Sequence, residues 1–158
     1  MTQSLLPVLQ KHPFVAELPP EYKAKLAELA TQVHFDAGQI IFHEGDDYSI
    51  FYLINEGTIA LELQMPGELL RVQTLFAGDE LGWSAVLPHS GMRFQARALT
   101  PVTALAFDGE QLLASFQSDA PFGLALMLRL MGVVSERLRA TRVQLVDLYS
   151  TEARRAGT

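Results

Sequence analysis

The spacing of apolar residues changes character twice along the chain. From Pro20 to about Thr31, Tyr22, Leu26, Leu29 and Ala30 recur at helical spacing behind the start signal Pro19-Pro20-Glu21, which predicts a short amphipathic helix. A weaker helix is predicted over Leu5 to Gln10, ended by Pro13. After Val33 the pattern becomes short β-rich runs: Gln39 to Phe42, Ser49 to Asn55, Gly57 to Leu63, Leu69 to Leu75, Phe94 to Leu99 and Val102 to Phe107. Turns such as Asp36-Ala37-Gly38, Asn55-Glu56-Gly57 and Ala77-Gly78-Asp79 separate them, with glycine supplying positive φ and Asn or Asp closing a local hydrogen bond. Ile59, Leu61 and Leu63 alternate with polar or small residues, so that strand is expected to turn one face inward. Short strands with turns about every ten residues indicate an antiparallel sandwich or barrel.

From Asp108 the period is helical again. Leu112, Leu113 and Phe116 form one stripe, the chain breaks near Ser118 to Pro121, and Asp119 reads as an N-cap with Pro121 in the first turn of a last helix reaching about Glu152. Along that helix Leu124, Met127, Met131, Val134, Leu138, Thr141, Leu145 and Leu148 follow each other at gaps of three and four, a heptad seam. A helix of about 45 Å, at 1.5 Å per residue, is longer than a small roll can cover. A homodimer through about residues 119–152 is therefore expected.

With 158 residues, 49% hydrophobic and 19% charged, the chain holds material for one core. The expectation is a single domain over 1–158: N-terminal helices over about 1–32, a β-roll over 33–108, and a hinge helix with the long helix over 109–152. The absence of cysteine excludes disulfides, thiolate nucleophiles and thiolate metal sites, and fits a reducing compartment. The first residues, Met1 to Pro13, lack a basic start, an unbroken apolar run and a cleavage site, and no stretch approaches a spanning length. A cytoplasmic protein without membrane contact is expected.

The net charge of -6 argues against a dedicated nucleic-acid binder, whose affinity comes from Lys and Arg neutralising phosphates. Six of the nine arginines, Arg129, Arg137, Arg139, Arg142, Arg154 and Arg155, nevertheless lie near the C-terminal end. The plain account is a solvated helix face with cations favoured near its C-terminus.

Ile40-Ile41-Phe42-His43-Glu44-Gly45-Asp46, Phe51 to Ile59 with Gly57, then Gly78-Asp79 and Gly82, set between helices in this order, resemble the sensor domain of the Crp/Fnr cyclic-nucleotide-binding family from about Leu18 to Leu148. The resemblance implies a mainly β protein: a double-stranded β-helix, or jelly roll, of about eight strands with N-terminal helices, a ligand inside the roll, and a long helix that lids the pocket and forms the dimer. It also implies a phosphate-binding cassette, in which backbone N–H groups at the start of a very short helix face a cyclic phosphate and an arginine neutralises it. Here that cassette is Gly78 to Pro88 followed by Arg93 to Ala98. Gly82 would allow close backbone approach, Ser84 and Ala85 would offer amides and a hydroxyl, and Arg93 is the candidate phosphate arginine. Counted from Gly82, Arg93 takes that place, whereas counted back from Arg97-Ala98 it is Met92 that does, and a slip of one residue reverses a strand's faces. Arg97, an even number of residues from Arg93, either lines the pocket with it or points with it to solvent.

One departure from the family stands at Trp83, where the family has a glutamate that accepts hydrogen bonds from the ribose 2'-hydroxyl. An indole donates but cannot accept. Glu80 is the nearby carboxylate that could take a shifted role, and the Gly-Trp-Ser-Ala variant resembles that of a subgroup of bacterial Crp/Fnr relatives. On the last helix, Thr141 matches the family threonine that contacts the base. The ligand set implied is Gly82, Trp83, Ser84, Ala85, Arg93 and Thr141, with Glu80 and Arg97 as additional candidates.

Catalytic residues, metal sites and cofactors are not expected. His12, His34, His43 and His89 lack the His-x-His pattern of metal-dependent jelly rolls, and no serine has a base arrangement for nucleophilic catalysis. The sequence ends at Thr158, about ten residues past the long helix, so no helix-turn-helix and no direct nucleic-acid contact are expected from it. The expected function is a regulatory module that senses a cyclic nucleotide, cAMP or cGMP, or a related small anion, and signals through its dimer helix to a downstream protein. The alternative is a degenerate, ligand-free dimeric scaffold for protein interaction.

Overall fold

A computed structural model of the chain describes residues 4–46, 49–87 and 94–157. Two compact units divide it, residues 1–124 and residues 125–158. In the first, α1 (Leu6–Gln10), a 3-10 turn (Pro13–Val15) and α2 (Pro20–Leu29) precede β1 (Thr31–Phe35), β2 (Ile40–Phe42), β3 (Ile50–Glu56), β4 (Ile59–Met65), β5 (Glu68–Leu75) and β6 (Glu80–Leu81). A second 3-10 turn (Trp83–Val86), β7 (Gln95–Ala98), β8 (Val102–Asp108) and α3 (Gly109–Ser118) follow, and α4 (Ala120–Ala156) begins in the first unit and makes up the second. Among the described residues the strands form two four-stranded antiparallel sheets, ordered β1-β8-β3-β6 and β2-β7-β4-β5. This is the mainly β roll with flanking helices that the sequence pattern and the resemblance implied.

The roll closes on an apolar interior made by Phe42, Tyr52, Ile54, Ile59, Leu61, Leu75, Leu81, Ala96, Ala98, Val102, Ala104 and Ala106. β3 and β8 also bury their other face. Phe51 of β3 stacks against Phe14 at 5.5 Å and against Phe107 at 6.2 Å. This second layer explains why Phe51 to Ile54 read as an unbroken apolar run: a strand covered on both sides has no polar face to alternate with. β4 departs from the expected simple alternation for a similar reason. Ile59 and Leu61 enter the interior, but Ala60 and Glu62 on the opposite face are buried as well.

Two strands were not legible in the hydrophobic pattern. β1 is a mostly exposed edge strand held by pairing with β8, and Thr31↔Ala106 begins that pairing where the sequence predicted helix to continue. β6 has two residues, too short for any period, and is defined by its pairs Tyr52↔Leu81 and Leu53↔Glu80.

Both later helices start on aspartates. Asp108 Oδ1 accepts from the N–H groups of Glu110 (2.9 Å) and Gln111 (3.1 Å), satisfying donors that a helix start leaves without intrahelical partners. Asp119, the predicted cap, accepts from the Phe122 N–H at 3.3 Å through Oδ1 and from Lys25 Nζ at 2.8 Å through Oδ2. Those bonds hold the Asp119 carboxyl below its ordinary range, the Lys25 contact contributing most. In the second unit, Leu126 and Leu130 are buried, whereas every residue from Leu138 to Gly157 is exposed.

Candidate functional site

The site is built outward from Gly82, where β6 ends. Its φ of +79° lies in the left-handed region, and a Cβ placed there would stand 2.5 Å from the Ile50 carbonyl oxygen. Backbone conformation and space therefore both require glycine. The chain turns there into the 3-10 segment Trp83–Val86, in which Ala85 N–H donates to the Gly82 carbonyl and Leu87 N–H to the Ser84 carbonyl, each at 2.9 Å. Ala85 and Val86 are buried, and Gly109 at the start of α3 lies so close to the Ala85 carbonyl that a side chain there would collide with it. The turn is thus pinned from β3 and from α3. Sequence reasoning gave the Ala85 amide an outward role. The geometry instead gives it a partner within the turn, the Gly82 carbonyl. Ser84 is engaged by other groups of the protein.

The remaining candidates do not all converge on this turn. Glu80 alternates with Leu81 on β6, and Leu81 enters the interior, so Glu80 lies on the face shared with Leu53 and away from the roll's apolar centre. Arg97 alternates in the same way with the interior residues Ala96 and Ala98, which puts it on the opposite face of β7. There its Nε donates to Glu62 Oε1 at 3.1 Å, Gln95 Nε2 donates to the same oxygen at 3.0 Å, and Arg97 Nη1 reaches the Gly38 carbonyl at 3.4 Å. The guanidinium thus serves the buried Glu62 carboxylate. Arg93, together with the competing Met92, lies outside the described residues. Thr141 belongs to the second unit, where it is exposed and its hydroxyl donates to the Arg137 carbonyl one turn back, at 2.9 Å.

A histidine that sequence reasoning set aside turns out to touch the turn's lead-in. His12 is 2% exposed and caps the 3-10 turn Pro13–Val15, with Nδ1 accepting from the Phe14 N–H at 3.1 Å. Since Nδ1 accepts, the ring proton is on Nε2, which donates to the Asp79 carbonyl at 3.2 Å. Burial pushes the His12 pKa below its ordinary 6.5, against smaller raising effects from the Asp79 carbonyl and carboxylate and the Ile54 carbonyl. Pro13 was read as the end of the first helix, but a partner of His12 that lies 67 residues away leaves no local trace.

Residues 32–119 match the family model described as the cyclic nucleotide-binding domain. A cAMP-dependent protein kinase regulatory subunit of Emericella nidulans is 33% identical over 94 residues, which cover 60% of this chain and 22% of that protein. The chain thus spans about a fifth of the length of that curated relative. A cyclic nucleotide-binding domain from Methylobacillus flagellatus superposes with a TM-score of 0.78 at 15% identity, covering 90% of this chain and 81% of that one. The catabolite activator protein of Thermus thermophilus does so with a TM-score of 0.71 at 24% identity, covering 87% and 63%. At these identities the two structures speak for the fold. Among the described residues no helix is long and apolar enough to cross a membrane.

Proposed function

This chain belongs to the cyclic nucleotide-binding domain family, and from that premise we propose that it is a regulatory, non-catalytic sensor that takes a cyclic nucleotide at the Gly82–Val86 turn and signals through α4. The observation that carries the reading is the doubly enforced glycine at 82, which delivers a short helical turn straight from a strand inside the matched segment. Such a turn aims its first amides at one point, a fit for an anionic group. In this reading Gly82, Trp83 and Ser84 face the ligand phosphate and Arg93 neutralises it. Arg97 stays with Glu62 as part of the fold. Trp83 cannot accept from a ribose hydroxyl, so an acceptor for that hydroxyl has to come from another group. The wide apolar stripe of α4 meets the same stripe of a second copy, in a cytoplasmic homodimer that acts on a downstream protein.

Calorimetric titration of the whole chain with cAMP, cGMP and cyclic dinucleotides tests this. Binding is expected to release or absorb heat and to raise the melting temperature, because a ligand that prefers the native state stabilises it by mass action. Neither effect at millimolar ligand would sink the proposal. A second reading, a ligand-free dimeric scaffold, draws on the indole in place of a carboxylate at Trp83 and on the internal commitment of the Ala85 amide. It expects no nucleotide response and an Arg93→Ala protein that still captures the wild type's partner.

A further inference from the structure

The turn Phe76 to Asp79 leads into the candidate site and is held by bonds to two distant parts of the chain. Gly78 N–H donates to the Ile54 carbonyl (2.9 Å), Ile54 N–H donates to the Asp79 carbonyl (3.0 Å), and Asp79 Oδ2 accepts from the Phe76 N–H (2.8 Å). The Asp79 carbonyl therefore has two donors, one from β3 and one from the buried ring of His12. The next residue of the N-terminal segment, Pro13, lies against Gly78, its Cγ 3.6 Å from where a Cβ would stand. Three residues after Asp79 the chain reaches Gly82. A cleft of about 480 Å³ is lined by Lys11, His12, Pro13, Asn55, Glu56 and Gly78 among others.

We propose that His12 is a positioning residue for the candidate ligand turn: it clamps the Asp79 carbonyl from the N-terminal segment, sets where β6 delivers Gly82, and lets go when its ring takes up a second proton. The inference rests on the ligand reading for its effect on affinity, but not for the clamp itself. A proton added at Nδ1 would face the Phe14 N–H, placing donor against donor, and would put a charge in a site that is 2% exposed. The groups around the ring do not remove that cost. The Asp79 carboxylate favours the charged ring, but its Oδ2 already serves Phe76, while Lys11 and Glu56 bring opposite charges to the same cleft. From β1 and β8 the cleft receives the uncharged Gln32 and Thr103. Burial of the ring outweighs these effects and holds the His12 pKa below its ordinary value, so the neutral ring keeps the clamp closed near neutral pH and the clamp opens on acidification.

Three proteins test this: wild type, His12→Asn and His12→Gln. Asn places its oxygen where Nδ1 stands and keeps the bond to Phe14, but it is too short to reach Asp79, whereas Gln carries a donor toward Asp79 that does not titrate. Amide hydrogen exchange over residues 76–86, without ligand and corrected for intrinsic rates, is compared at about pH 7.5 and about pH 5.5, bracketing the ordinary histidine range. In wild type it is expected to quicken by about five-fold on acidification, the worth of one hydrogen bond. His12→Asn should be fast at both values and His12→Gln slow at both, and affinity for cAMP should follow the same order. Equal exchange in wild type and His12→Asn at the higher pH, or a pH response that survives in His12→Asn, overturns the clamp. Unchanged cAMP affinity in a His12→Asn protein with fast exchange overturns the positioning role. A wild type that shows the exchange pattern but takes up none of cAMP, cGMP and the cyclic dinucleotides upholds the clamp and removes the ligand reading.

Discussion

The roll and the far part of α4 use the same apolar residue types to opposite ends. Leu105 and Phe107 are fully buried by the chain itself, while Leu145 and Leu148 are 52% and 65% exposed on a helix that continues for turns with no buried residue. The contrast teaches that periodicity identifies a face but not what covers it. In the roll the cover is local to the chain. On α4, a helix of about 55 Å by its 37 residues, the exposed stripe awaits a partner that the proposal assigns to a second copy.

The contrast can be broken most forcefully in the roll. Phe107→Ala removes a ring packed against Phe51 and is expected to cost about 3–5 kcal/mol in denaturant unfolding. Gly82→Ala comes next, at about 2 kcal/mol, because the left-handed backbone and the Ile50 carbonyl both oppose a methyl group there. The same truncation on α4 sharpens the comparison from the other side. Leu145→Ala with Leu148→Ala should change the stability of the isolated chain by at most about 0.5 kcal/mol per site, yet shift sedimentation from dimer toward monomer. A double variant that destabilises the isolated chain as much as Phe107→Ala would end the distinction.

The smallest effects concern pH. The His12 pKa is lowered in the folded state, so its contribution to stability is fully present above 6.5 and is lost as pH falls below that value through the lowered one. Melting curves between about pH 7.5 and 5.5 should show this decline in wild type and a flatter course in His12→Gln. Asp119 is also lowered, and its contribution is present above 3.8 and lost as pH falls through its folded-state value. Acid melting curves of Asp119→Asn should lack that component, since an amide keeps an oxygen for the cap and loses the charge facing Lys25.

Much of the fold was legible because it rests on local rules. The Pro20 start of α2, the Asp119 cap, the turn glycines and six of the eight strands each follow from side-chain period or turn chemistry within a few residues. The seam of α4 was equally plain, being a repeat along a single helix. What the chain's order of residues could not decide was pairing and direction across it. β6 exists only because β3 lies beside it, and Arg97 was consigned to Glu62 by the parity of a strand whose facing had to be set by its neighbours. His12 became part of the site's approach through a carbonyl 67 residues away. Local signals come from torsional preference and spacing, which each segment carries with it. Hydrogen-bond partners and burial are properties of packed surfaces, and they take their values only when distant segments meet.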